Sequence, residues 1–252
     1  MDYSLPSEAM LAKQAEGLEP FRAALLRRAA IAQREWVLDL GSGPGLISPE
    51  LLRRSGGWVV ALDRNRQALS QLAARYRAEA RRQPLQPICA DAARLPFADR
   101  SFDLVFCQWA LLWMPLEPVL REIDRVLSPG GVLVALEPDY GGMIEYPLEI
   151  ASAHLWQAGL RRAGADPEVG RKLPPLLTKL GLQVEVMLLD RLRPAEAARW
   201  QMLCELPLTP DEQAHLAAAM HAEALLPPQT VTVHLPIFGI LAKKTKENRV
   251  PF

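Results

Sequence analysis

Three carboxylates and a glycine-rich turn carry the chemistry that can be read from this chain. Asp39-Leu40-Gly41-Ser42-Gly43-Pro44-Gly45 follows the apolar run Trp36-Val37-Leu38 and precedes a helix-compatible segment beginning near Leu46. Glycine lacks a Cβ, so it takes positive φ and lets a ligand approach the backbone. The helix that follows turns its free N–H groups toward that ligand, which suits an anionic group. The spacing is GxGxG with an acid in front, not the GxGxxG of dinucleotide sites. Asp63 closes the next apolar run, Trp58–Leu62, about twenty residues past the loop, where two carboxylate oxygens can accept both hydroxyl hydrogens of a ribose. Capping of the next helix is the structural alternative for Asp63. Asp91, Gln108 and Glu137 each fall at or just after a further apolar run.

Such residues need a frame that brings them to one edge. Strands are predicted at Trp36–Leu40, Trp58–Leu62, Ile88-Cys89, Phe102–Gln108, Val132–Leu136, Val184–Leu189 and Val231–Leu241, the last broken by Pro236 and so bulged or at an edge. Helices are predicted over residues 7–34, interrupted near Gly17 and Pro20, and over Leu46–Ser55, Gln67–Arg82, Leu116–Leu127, Pro147–Ala163 and Leu173–Leu180, with a helical insertion at Pro194–Ala224. Pro84 and Pro87 bracket a turn, and Ser128-Pro129-Gly130-Gly131 reads as another. Thr209-Pro210-Asp211-Glu212 has the pattern of a capping box with proline at the first helical position. Short apolar strands alternating with helices predict an α/β fold: a doubly wound, mostly parallel sheet of seven strands. In such sheets ligands sit at the carboxyl ends of the strands, which puts Asp39, Asp63, Asp91, Gln108 and Glu137 on the functional edge.

The totals narrow the partners. The 252 residues carry 29 basic and 29 acidic side chains and are half hydrophobic, so a duplex nucleic-acid partner is not expected. Cys89, Cys107 and Cys204 are odd in number and widely spaced, which predicts neither a zinc site nor a disulfide framework but a reduced, cytoplasmic setting. No signal-peptide pattern opens the chain and no apolar run reaches membrane-spanning length. The charged stretch Lys243–Arg249 is expected to be a mobile tail.

Four segments in order (VLDLGSGPG, ALDRN, ADAARLPFADRSFDLVF and LSPGGVLVALEPD, within about residues 36–139) strongly resemble the class I S-adenosylmethionine-dependent methyltransferases. The likeness is greatest to the bacterial small-molecule group that includes the ubiquinone/menaquinone-type enzymes. The resemblance implies a Rossmann-like methyltransferase fold with S-adenosylmethionine as cofactor and S-adenosylhomocysteine as product. It implies that Asp39 and the backbone of Gly41, Ser42 and Gly43 hold the methionine part, that Gly45 permits the close turn into the helix, and that Asp63 binds the ribose with Arg64 beside the adenine. Asp91 would accept from the adenine amino group with the Ala92 backbone adjacent, and Gln108 would add a cofactor contact. Asp99 and Asp103 read as structural acids, in a polar turn and at the opposite end of a strand.

The acceptor side carries fewer signals. No Asn/Asp-Pro-Pro-Tyr/Phe follows the fourth strand, where Cys107-Gln108-Trp109-Ala110 stands instead, so a nucleobase amine is not expected. Cys107 reads as a buried small hydrophobe. Trp109, Trp113, Met143, Tyr146 and Trp156 are candidates for an apolar or aromatic substrate pocket, with Arg171 at a lid junction; packing into the core is the alternative for each. Glu137, Asp139, Tyr140, Glu145 and, on the expected lid helix, His154 are the candidates for a base. The expected organisation is a single domain over 1–252, as monomer or homodimer, with an N-terminal helical cap at 1–35 and helical insertions at 143–172 and 190–229 forming a lid. A small, apolar or aromatic metabolite fits that enclosure. The competing functions are a non-catalytic S-adenosylmethionine-binding regulator or subunit, a protein or RNA methyltransferase, and a nicotinamide-dependent oxidoreductase.

Overall fold

The central strands form where Val, Leu and Phe runs are covered on both faces. A computed structural model describes residues 8–76, 85–189 and 198–245. The strands are β1 (Trp36–Leu40), β2 (Trp58–Asp63), β3 (Leu85–Cys89), β4 (Phe102–Gln108), β5 (Leu127–Pro138), β6 (Ile144–Tyr146), β7 (Gln183–Leu188), β8 (Thr232–His234) and β9 (Ile237–Lys243). Seven of them make one sheet in the order β3-β2-β1-β4-β5-β9-β7. All run parallel except β9, which is antiparallel to both β5 and β7. The sheet is therefore the doubly wound, mostly parallel frame expected from the alternation of strands and helices.

Successive strand residues serve opposite faces. Val37, Val59, Leu104 and Val134 pack with Leu25 and Leu26 of α2 (Glu19–Arg28) and Leu51 and Leu52 of α3 (Ser48–Ser55). Leu38, Val60, Val105 and Leu133 pack with Val119 and Ile123 of α5 (Leu116–Val126) and Val169 and Leu173 of α7 (Val169–Lys179). Burial of each such side chain is worth about 1.5–3 kcal/mol over leaving it exposed. The remaining helices are α1 (Glu8–Gly17), α4 (Arg66–Tyr76), α6 (Ala153–Arg162), α8 (Ala198–Cys204) and α9 (Pro210–Leu225). The capping box opens α9: the Thr209 hydroxyl accepts the Glu212 N–H at 3.3 Å, and the Glu212 carboxylate accepts the Thr209 N–H at 2.8 Å.

Several local expectations are revised by long-range pairing. Ser128–Gly131 is not a free turn but an irregular part of β5, where pairing with β4 jumps from Phe102↔Leu127 to Leu104↔Val132. Val231–Leu241 is not one bulged strand: Pro236 divides β8, which pairs with β6 in a two-stranded ribbon, from β9, which lies inside the main sheet. Pro87 lies within β3, an edge strand, where a missing N–H is tolerated. The helix expected from Pro147 starts only at Ala153, after a 3₁₀ turn at Leu148–Ile150, and α7 starts at Val169, ahead of Leu173. The end of the Gln67–Arg82 helix, the start of the 190–229 insertion and the charged tail beyond Thr245 lie outside the described residues. Among the described residues no helix is long and apolar enough to cross a membrane.

Candidate active site

The carboxyl ends of β3, β2, β1 and β4 lie side by side and open into a cavity of about 280 Å³. Asp39, Gly41, Ser42, Gly43, Asp63, Arg64, Asp91, Ala92 and Gln108 all line it. The glycine loop holds its shape through positive φ at Gly41 (+74°), Gly43 (+52°) and Gly45 (+73°). A Cβ on Gly41 would stand 2.4 Å from Ala110 Cβ, whereas one on Gly43 would meet nothing within 4 Å. Gly43 thus leaves open space beside the backbone. Gly45 does not line the cavity; a Cβ there would lie 2.2 Å from Leu72 Cδ1, so its role in the structure is to let α4 close on the loop.

Asp63 is tied into the loop. Its Oδ2 accepts the Gly43 N–H at 2.8 Å and its Oδ1 accepts the Asn65 N–H at 2.8 Å, which leaves each oxygen a further lone pair. Helix capping falls to Asn65, whose Oδ1 accepts the N–H groups of Gln67 and Ala68. Asp91 Oδ1 accepts the Ala93 N–H at 2.9 Å, and its carboxylate is exposed at the cavity. Asp39 is buried, and its Oδ2 accepts from the Ser48 hydroxyl at 2.6 Å. Burial pushes its carboxyl up from 3.8 to about 7 against the Ser48 hydrogen bond; the Asp63 charge adds to the rise and Arg22 opposes it. This end of the cavity therefore gathers acceptors and negative charge around a loop whose Gly41 and Ser42 N–H groups are already held by the Leu62 carbonyl. A ligand with ribose hydroxyls, an exocyclic amine and cationic centres matches that donor–acceptor set, and Gly43 supplies the room beside the backbone.

A second part of the lining is built on the turn after β4. Glu137 is fully buried at the end of β5, and its Oε1 accepts the N–H groups of Ala110 at 3.0 Å and Leu111 at 2.9 Å. Its Oε2 is buried without a partner among the described residues. Burial pushes this carboxyl up from 4.5 to about 7, although the Leu111 and Ala110 amides pull it down. The anchored turn holds Trp109 at φ +52°, a sparsely populated conformation for a bulky residue. Cys107 is buried beside Glu137, and burial holds its thiol well above 9.0, as suits a packing residue rather than a nucleophile. Trp109, Trp113, Met114, Tyr140, Trp156 and Leu160 wall this half, with Tyr140 stacked on Trp156 at 5.0 Å between ring centres.

Several other expected residues go elsewhere. Glu145 accepts the N–H groups of Ser152 and Ala153 and the Ser152 hydroxyl at 2.6–2.8 Å, so it satisfies the open end of α6 rather than facing the cavity. His154 is exposed and meets His215 of α9, with Nε2 and Nδ1 3.3 Å apart. Tyr146 is 65 % exposed on the ribbon. Arg171 pairs with the buried carboxylate of Asp139 at 2.7 Å. Met143 packs on the core and is not part of the lining. Tyr140 alone of the five base candidates lines the cavity; Glu137 and Asp139 are buried and not part of the lining. Conversely, α1 contributes Leu11, Gln14 and Ala15, and α8 with its following turn contributes Met202, Glu205 and Leu206. Nothing in their types or spacing marks these residues, since each sits on an ordinary helix or its end.

Residues 38–135 match the family described as a methyltransferase domain, and over 180 residues the chain is 33 % identical to the methyltransferase GfsG of Streptomyces halstedii. The chain is thus similar to methyltransferases over the segment that carries the glycine loop and the three acids. The GfsG match covers 71 % of this chain and 64 % of that protein. A malonyl-[acyl-carrier protein] O-methyltransferase of Marinomonas sp. is 36 % identical over 127 residues, covering 48 % of this chain and 44 % of its own. The chain thus spans less than two thirds of the length of these curated relatives. The fold is shared with a solved putative sarcosine dimethylglycine methyltransferase from Galdieria sulphuraria, at a TM-score of 0.64 and 19 % identity, covering 98 % of this chain and 94 % of that one.

Proposed function

We propose that this chain transfers a methyl group from S-adenosylmethionine to a small apolar or aromatic acceptor. The observation that carries this reading is the joining of two unlike linings in one cavity: acids and the glycine loop at the strand ends, and a set of aromatic side chains. In this reading Asp91 and Asp63 hold the adenosine, and Asp39 with the Gly41–Gly43 backbone holds the amino-acid part. The group supplies an electrophilic sulfonium methyl when bound. The chain supplies position and dryness: Trp109, Trp113, Tyr140 and Trp156 orient a flat acceptor and exclude water, which accounts for much of the rate of an in-line displacement. Tyr140, the base candidate among the lining residues, is the group proposed to take or hold a proton. α1, α6 and α8 act as the cover, since all three reach the lining.

Calorimetric titration with S-adenosylhomocysteine tests the cofactor half: saturable binding at one site per chain is expected, and folded protein that binds none at millimolar ligand overturns the proposal. A non-catalytic cofactor-binding regulator remains the second reading because neither His154 nor Glu145 lines the cavity. Cofactor binding without methyl transfer to any small molecule of a cell extract would favour it.

A further inference from the structure

Arg22 of α2 is a buried arginine, 4 % exposed, and its guanidinium joins three parts of the molecule. Nε and Nη2 bind Glu50 Oε2 of α3 at 2.8 and 2.6 Å, while Nη1 reaches the Ala15 carbonyl of α1 at 2.8 Å and Gln108 Oε1 at 3.1 Å. A guanidinium only donates. The Gln108 amide must therefore turn its oxygen to Arg22, and its NH₂ group is left for the cavity that Gln108 lines. The same guanidinium holds the last turn of α1, whose Leu11, Gln14 and Ala15 form part of the lining.

Position decides which part of a ligand meets that NH₂. Gln108 stands at the end of β4 and Asp91 follows β3, with β2 and β1 between them. Neighbouring strands are about 4.8 Å apart, so these two ends are separated by about 14 Å. If Asp91 and Asp63 hold adenine and ribose, Gln108 faces the amino-acid end. The side chains of Asp39 and Asp63 offer only acceptors there, whereas an amino-acid carboxylate needs donors.

We propose that Arg22 is a positioning residue for the cofactor's amino-acid carboxylate: it fixes Gln108 as a donor and draws α1 over that end of the cavity. This rests on the cofactor reading above. The test compares S-adenosylhomocysteine with 5′-methylthioadenosine, which keeps the nucleoside thioether and lacks the amino-acid group. Gln108→Glu gives Arg22 a carboxylate partner and exchanges the donor for an acceptor. Its affinity for S-adenosylhomocysteine should fall at least about tenfold, the worth of a hydrogen bond to a charged group, while that for methylthioadenosine changes by less than about twofold. Arg22→Met alone leaves Glu50 Oε2 buried without its partner, with only Arg54 still on Oε1 at 2.7 Å, so the paired variant R22M/E50L, in which Arg54 keeps Glu19, is the second probe. It should show the same selective loss, and it should also lose the hydrogen-exchange protection that S-adenosylhomocysteine confers on α1 in the native chain. Unchanged affinity in Gln108→Glu, or equal weakening of both ligands, overturns the inference. A native chain that binds neither ligand overturns the cofactor reading itself.

Discussion

Glu137→Gln separates the charge of the buried carboxyl from the hydrogen bonds it makes. The folded chain raises this carboxyl from 4.5 to about 7, chiefly by burial, which corresponds to about 3 kcal/mol between its two protonation states. The unfolded chain releases the proton near 4.5 and the folded chain near 7. Between those values the folded state binds more protons, so stability falls as pH rises through the window and levels off above it. Asp39, raised from 3.8 to about 7, contributes a fall of the same sign. The amide variant keeps an oxygen for the Ala110 and Leu111 N–H groups but cannot ionise. Its NH₂ group would lie where Oε2 has no partner, a pH-independent cost of about 1–3 kcal/mol that lowers the whole curve without changing its slope. Urea unfolding at a series of pH values from about 5 to about 8 should therefore show a fall smaller by about 2 kcal/mol in the variant than in the native chain. Parallel curves would refute the reasoning, because they would mean that Glu137 releases its proton at the same pH folded and unfolded.

Asp39 should make cofactor affinity depend on pH: a cationic ligand favours its ionised form, so S-adenosylmethionine should bind more tightly as pH rises to about 7 and displace a proton, measured by calorimetry in buffers of different ionisation enthalpy. A flat profile contradicts this. Gly41→Ala would put a methyl group 2.4 Å from Ala110 Cβ at φ +74° and should weaken S-adenosylhomocysteine binding by at least about tenfold, with a lowered melting temperature, since left-handed backbone alone costs about 1–2 kcal/mol. Asp63→Ala removes two charge-assisted acceptors and should lower that affinity about a hundredfold. The control is Asp103→Ala at the opposite strand ends, where the carboxylate accepts the Glu35 and Trp36 N–H groups; it should cost stability and leave the affinity unchanged.

Much of the frame was legible because parallel strands buried on both faces read as short apolar runs, and their acids necessarily end at one edge. Asp39, Asp63 and Asp91 met around one cavity for that reason. What could not be read locally was set by partners far along the chain. Ser128–Gly131 has the residues of a turn, yet it is carried within β5, with Gly130 and Gly131 bonded to the Lys244 backbone just past β9. Pro236 marked a break without telling that β8 leaves for a ribbon with β6. Glu145 and His154 carried groups suited to proton transfer, but Ser152 and His215 occupy them. Arg22 looked like any helix arginine, because Glu50 and Gln108 lie 28 and 86 residues away in sequence. The aromatic wall was only partly legible: Trp109, Trp113 and Trp156 stood out by type, whereas Leu11, Met202 and Leu206 carry no mark of their place.

The most direct measurement follows a labelled methyl group from S-adenosylmethionine into a cell extract, with the products separated by size and polarity. Label should appear in small, organic-extractable molecules with the native chain and be lost with Asp63→Ala. Label confined to protein or RNA, or cofactor binding with no transfer at all, would contradict a methyltransferase whose aromatic cavity takes a small apolar acceptor.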